Sequence, residues 1–205
     1  MLEIPKIDEF VVRADFYSCL MPITALLHKH SLNIATGLLF ALAFWRLGLS
    51  PELPAVLAFI FGGVLLAVID WKVHRLPTRI IYLTLAGVAA GLIFASLVEW
   101  NVVPLATALL GALLFTNAFF LIWLFTTKYA GMRMLGFGDV RLAAVLGLLL
   151  GWYGLPFVMY GALAGHLLAL VIAVATCVRR RQLHMTYSFG PPLIAGTLAV
   201  VLFAA

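Results

Sequence analysis

The sequence predicts an all-α fold: a polytopic transmembrane helical bundle of about seven spans. Three observations predict it. Of 205 residues, 65% are hydrophobic and 10% are charged, and the mean hydropathy is +1.15; a soluble domain carries roughly 45–50% apolar and ~25% charged residues. The apolar residues fall in uninterrupted runs rather than in the alternation of barrel strands, and open strands cannot satisfy their backbone in lipid. The basic residues gather in alternate loops, as topology signals do.

Residues 1–31 are mixed in character and are expected to form a cytoplasmic amino-terminal segment, either an interfacial helix or a poorly ordered stretch. A membrane-embedded domain is expected over 32–205. The apolar stretch from Phe16 to Leu27 follows acidic residues and lacks a small-residue cleavage site. No cleaved signal peptide is therefore expected, and the first span acts as signal anchor.

Spans are expected over 32–49, 53–70, 80–98, 102–126, 138–153, 155–178 and 187–205. The first follows Lys6, Arg13 and Lys29. Asp70 closes the second, and Lys72, Arg75 and Arg79 separate it from the third. Lys128 and Arg133 lie between the fourth and fifth, with Arg141 just inside the fifth, and Arg179, Arg180 and Arg181 precede the seventh. The boundary between the fifth and sixth rests on length. No Asp, Glu, Lys or Arg occurs in the 37 residues from Leu142 to Val178. As one helix that stretch would measure about 55 Å, against a hydrocarbon thickness of ~30 Å. It must turn back, and Trp152-Tyr153-Gly154-Leu155-Pro156 supplies aromatic anchors and helix breakers.

This arrangement puts 12 of the 13 basic residues on one side and only Arg46 on the other. The positive-inside rule makes the crowded side cytoplasmic, with the amino terminus inside and the carboxyl terminus outside. Trp45, Trp100 and Trp152 then fall at outer ends, as an aromatic belt would place them. The formal net charge of +5 does not indicate nucleic acid, because the basic residues are spread through short loops. Cys19 and Cys177 belong to no CxxC pair, so neither a zinc site nor a disulfide framework is expected. No metal and no cofactor is expected, and His28-Lys29-His30 resembles a metal tract only faintly.

Beyond Glu52 the chain holds three acidic residues, Asp70, Glu99 and Asp139. Acidic groups beside hydrocarbon are costly and are functional candidates by default. Glu99 falls at an outer end, where water solvates it. Asp70 ends an inward-running span and Asp139 begins an outward-running one, so both lie at the cytoplasmic edge although 69 positions separate them. Two carboxylates are the minimum set for acid/base peptide hydrolysis. The plainer reading makes them interfacial carboxylates paired with Lys72, Arg75 or Arg141. Asp139 at a helix start is favoured as the ionised base, and Asp70 at a helix end as the acid, the pair sharing one proton. Gly136 and Gly138 let a substrate backbone approach.

Three segments resemble a known family: DWKVHRLP (Asp70 to Pro77), GMRMLGFGDVRLAAVLGLLLGW (Gly131 to Trp152) and FGPPLIAG (Phe189 to Gly196). They are similar to the type IV prepilin peptidases of the GxGD class of membrane aspartic proteases, over about residues 53–200. The resemblance implies that Asp70 and Asp139 are the catalytic pair. It also implies cleavage of basic leader peptides from prepilins or pseudopilins at the cytoplasmic face of the bacterial inner membrane, beside pilus or secretion assembly machinery.

Two residues depart from the family's pattern. Thr78 stands where many relatives have Asn or Asp, and Arg141 where lysine is usual. Larger relatives insert a cysteine-bearing cytoplasmic domain linked to N-methylation; its absence here leads to the expectation of a peptidase without the methyltransferase. Rival readings are a proton-coupled transporter using Asp70 and Asp139, a structural assembly subunit, and a GxGD intramembrane protease with a different substrate. Of the remaining polar residues, His166 is expected as a hydrogen-bonded core histidine rather than a proton relay, Thr116 and Asn117 as bridges between helices, and Arg179–Arg181 as a topology anchor.

Overall fold

The computed structural model of the chain describes residues 30–73, 76–128, 136–180 and 189–204, with the backbone alone at 30–32, 72–73 and 177–180. The expected amino-terminal segment lies almost wholly outside the described residues, as do Arg75 and the side chains of Lys72, Cys177 and Arg179–Arg181. Among the described residues the fold is all-helical: α1 (His30–Leu47), α2 (Leu53–Val73), α3 (Thr78–Glu99), α4 (Val103–Lys128), α5 (Phe137–Tyr153), α6 (Leu155–Arg180) and α7 (Gly190–Ala204). These are the seven expected elements, each found to within one helical turn. By its contacts the chain divides into Met1–Leu39 and Phe40–Ala205. The described part of the first unit is the opening of α1; the second holds the rest of α1 and all of α2 to α7.

Among the described residues, four helices are long and apolar enough to cross a membrane: Leu53–Trp71, Thr78–Glu99, Val103–Lys128 and Leu155–Thr176. Asn33–Leu47 and Gly190–Ala204 are apolar but shorter. Lipid offers no hydrogen bonds, so a helix that satisfies its own backbone is the form such runs must take.

Within the second unit the helices pack as three successive hairpins, α2 with α3, α4 with α5 and α6 with α7, with α5 also against α3, α6 and α7. Each hairpin closes over small residues. Gly147 and Gly151 lie four apart on one face of α5, against Thr107, Ala108 and Gly111 of α4. A Cβ on Gly147 would stand 2.5 Å from the Gly111 carbonyl oxygen, and one on Gly151 2.6 Å from that of Thr107. Gly91 meets the backbone of Ala55 between α3 and α2, and Gly196 meets Gly165 between α7 and α6. Lipid tails are as apolar as leucine, so such helices gain by close backbone approach and dispersion rather than by hiding apolar surface from water.

α5 is the central helix, buried at Asp139, at Leu142 and along the whole run from Val145 to Trp152. Trp152 is 8% exposed and packs inside the bundle, whereas Trp45 and Trp100 are 81% and 93% exposed. The aromatic-belt expectation therefore fails at Trp152, because the helix that carries it is enclosed by neighbours. The expected turn is found one residue after Tyr153, where Gly154 adopts φ 125° and its N–H donates to the Gly151 carbonyl. A positive φ is accessible to glycine at little cost.

Alternating helix direction brings the end of α2 and the starts of α3, α5 and α7 to one end of the bundle. At the other end Arg46 of α1 donates from Nε to the Leu202 carbonyl of α7 at 2.8 Å. That bond satisfies a carbonyl near the end of α7.

Candidate functional site

Asp70 is the last acidic residue of α2 and is 5% exposed; Asp139, in the first turn of α5, is 9% exposed. One stands at a helix end and the other at a helix start, at the same end of the bundle. Burying two carboxylates together costs free energy unless their oxygens find donors, and both find backbone N–H groups.

Asp139 takes its donor locally. The Gly136 N–H donates to Oδ2 of Asp139 at 3.1 Å, and the Asp139 N–H donates to the Gly136 carbonyl at 3.1 Å. This reach-back from the third helical residue to the N-cap satisfies an N–H that the helix leaves orphaned. Asp70 takes its donor from a distant element. The Gly190 N–H at the start of α7 donates to Oδ2 of Asp70 at 3.1 Å, 120 positions along the chain. Pro191 and Pro192 follow and carry no N–H, so Gly190 is the first donor this helix start presents.

The remaining contacts are steric. A Cβ on Gly190 would stand 2.6 Å from Oδ2 of Asp70. Leu76, in the link between α2 and α3, fills the space between the two glycines. Its Cβ lies 3.0 Å from where a Gly138 Cβ would be, and its Cδ2 lies 3.6 Å from where a Gly190 Cβ would be. The bare face of Gly138 is thus covered by Leu76. Gly136, by contrast, is exposed.

Two further residues meet at this end. Arg141 donates from Nη1 to the Thr78 hydroxyl at the start of α3, and its guanidinium lies 4.8 Å over the Phe137 ring. The two departures from the family's pattern therefore touch each other. Phe137 packs edge-on against Trp123 of α4 at 5.2 Å.

The four expected site residues thus lie at one end of the bundle. Gly190, Leu76 and the Arg141–Thr78 bond were not among them. For Gly190 a signal was present in the Gly-Pro-Pro opening of α7; for Leu76 there was none, because an apolar residue before a proline is unremarkable. The helix-end argument that makes Asp139 the base and Asp70 the acid loses its asymmetry. Asp70 ends α2, but its carboxylate also receives a helix-start N–H.

His166 of α6 is exposed, with Nδ1 donating to the Ala162 carbonyl at 2.7 Å. It is hydrogen-bonded as expected but does not lie in the core. Its ring meets Phe189 at 5.6 Å, and both line an apolar groove with Leu170, Ala173 and Pro192. Asn117 donates to the Leu113 carbonyl of its own helix at 3.1 Å.

An all-helical membrane fold whose buried acidic residues come from separate helices defines a class, and sequence comparison gives the family. The type IV leader peptidase family pattern matches residues 57–178, and the chain belongs to that family. It is 33% identical over 171 residues to a prepilin leader peptidase/N-methyltransferase of Pseudomonas putida, covering 82% of this chain and 57% of that protein. To the protein of the same name in Burkholderia pseudomallei (strain K96243) it is 33% identical over 207 residues, covering 98% and 62%. To that of Bacillus subtilis (strain 168) it is 30% identical over 176 residues, covering 83% and 64%. The chain spans from 57% to 64% of the length of these relatives. No solved structure matches it.

Proposed function

We propose that this chain is a membrane aspartic endopeptidase that removes the basic leader of type IV prepilins or pseudopilins. The observation that carries the reading is that Asp70, at the end of α2, and Asp139, in the first turn of α5, are both buried carboxylates at the same end of the bundle. Family membership and the relatives' names support it. One carboxylate, ionised, takes a proton from water as the water oxygen bonds to the scissile carbonyl carbon. The other, protonated, hydrogen-bonds the carbonyl oxygen, and a proton passes to the departing amine as the tetrahedral intermediate collapses. The basic-residue pattern supports a site at the cytoplasmic side of the bacterial inner membrane, beside assembly machinery that takes up the mature subunits. A transporter would favour acids near mid-helix, whereas these stand at a helix end and a helix start.

The test is cleavage of a prepilin in membranes. Asp70→Asn and Asp139→Asn each keep an oxygen that accepts the N–H of Gly190 or Gly136, so the variants isolate chemistry from folding. Each is expected to abolish cleavage with membrane insertion unchanged, and the double variant should be no worse than either single. Substantial cleavage by either single variant would defeat the aspartic mechanism.

A further inference from the structure

Within its own sequence the first turn of α5 is braced by the reach-back of Asp139 to the Gly136 N–H. Gly136 and Gly138 flank Phe137 and bring no side chains, yet the next residue is Asp139. Glycines carry the largest conformational entropy, so ties from outside the helix add to the order of this turn. Two ties are present, and both run to the short segment 76–78 that follows the end of α2. One is apolar: Leu76 packs on the bare face of Gly138. The other is polar: Arg141 donates to the Thr78 hydroxyl, 63 positions away.

Arg141 is itself held. It lies one turn beyond Phe137 on the same face of α5, with its guanidinium over that ring, and a cation over an aromatic face is attracted by the ring quadrupole. Phe137 in turn rests on Trp123, which stacks with Phe120 at 5.8 Å. The planar guanidinium thus rests on the Phe137 ring, with one N–H aimed at α3. A flexible ammonium would not fix direction in this way.

We infer that Arg141 is a positioning residue. Through Thr78 it locks the first turn of α5 to the segment that leaves α2, and so sets where the Asp139 carboxylate stands relative to Asp70. The inference rests on the peptidase reading for its catalytic consequence, but the geometric lock is separately measurable. Arg141 contributes no proton and touches no substrate in this role.

The test uses the full chain in detergent micelles with a prepilin substrate. Arg141→Ala and Thr78→Val should each lower kcat by about 10- to 100-fold, as a misplacement of about 1 Å does, with KM almost unchanged. The double variant should be no slower than the slower single, because both remove one bond. Thr78→Ser keeps the hydroxyl and should restore cleavage close to that of the parent. Unchanged kcat in both singles, multiplicative losses in the double, or a loss confined to KM would each overturn the inference.

A second measurement does not depend on cleavage. With the two native cysteines replaced by serine, Leu76→Cys and Gly138→Cys should cross-link rapidly under mild oxidation, and adding Arg141→Ala should slow that reaction several-fold. Equal rates with and without Arg141 would overturn the lock even in an active enzyme. A parent chain that leaves prepilin intact, yet shows the slowed cross-link, would overturn the peptidase reading and leave the lock standing.

Discussion

One methyl group at position 190 would collide with the carboxylate that α7 holds. The Cβ of an alanine there would stand 2.6 Å from Oδ2 of Asp70, below any real carbon–oxygen contact. Either Asp70 rotates away or the start of α7 retreats, and in both cases the N–H donor is lost. Gly190→Ala is therefore expected to lower kcat by about 100-fold, the scale of an angstrom-level misplacement. Gly136→Ala makes the useful contrast. Its Cβ would lie 3.3 Å from Oδ2 of Asp139, a contact that a small adjustment relieves, and position 136 is exposed. Its loss should be at least tenfold smaller in the same cleavage assay, where one angstrom of misplacement separates mild from severe defects. Equal losses at 136 and 190 would count against a steric demand specific to Asp70.

At the scale of helices, the hairpins stand or fall on their small residues. Gly147→Leu would drive a branched side chain into the backbone of Gly111 and Ala112. Overpacking of this kind typically costs about 1–3 kcal/mol and at times more, so earlier thermal unfolding in detergent is expected, followed by tryptophan fluorescence. Gly37→Ala meets no atom within 4 Å and should not lower the transition. A Gly147→Leu protein as stable as the parent would show that α4 and α5 do not depend on close approach.

The helix boundaries were legible because lipid makes them so. Charges such as Lys72 and Lys128 cannot enter hydrocarbon cheaply, and Trp152 to Pro156 must break a run too long to cross once. Which helix lies at the centre was not legible. α4 and α5 are both apolar on all sides, and a glycine that touches a neighbouring helix reads the same as one facing lipid. Trp152 misled for that reason. The site was legible where charge marked it, at Asp70 and Asp139. It was hidden where a backbone N–H or an apolar wedge completes it, because Gly190 and Leu76 carry no chemical label.

Among the described residues, seven helices in alternating directions put the end of α1 and the end of α7 together, as the Arg46–Leu202 bond requires. By the positive-inside rule we propose that the Asp70–Asp139 end faces the cytoplasm. Reporter fusions within Thr78–Arg79 and after Ala205 should accordingly report opposite sides, the first cytoplasmic. Signals from the same side would defeat the odd number of crossings, and reversed signals would defeat the orientation.

Each of the three hairpins brings one piece that the others lack: Asp70 comes from the first, Asp139 from the second and the Gly190 N–H from the third. Hairpins enter the bilayer in the order of synthesis, so both acids are in place before the Gly190 N–H arrives. A chain ending at Arg180 should therefore insert normally and cleave nothing, and supplying the missing hairpin strand in trans should awaken it. Activity before that point would mean that Asp70 needs no anchor. With the anchor required, biogenesis itself is the safety catch: the proposed peptidase site stays inert until its last helix has arrived.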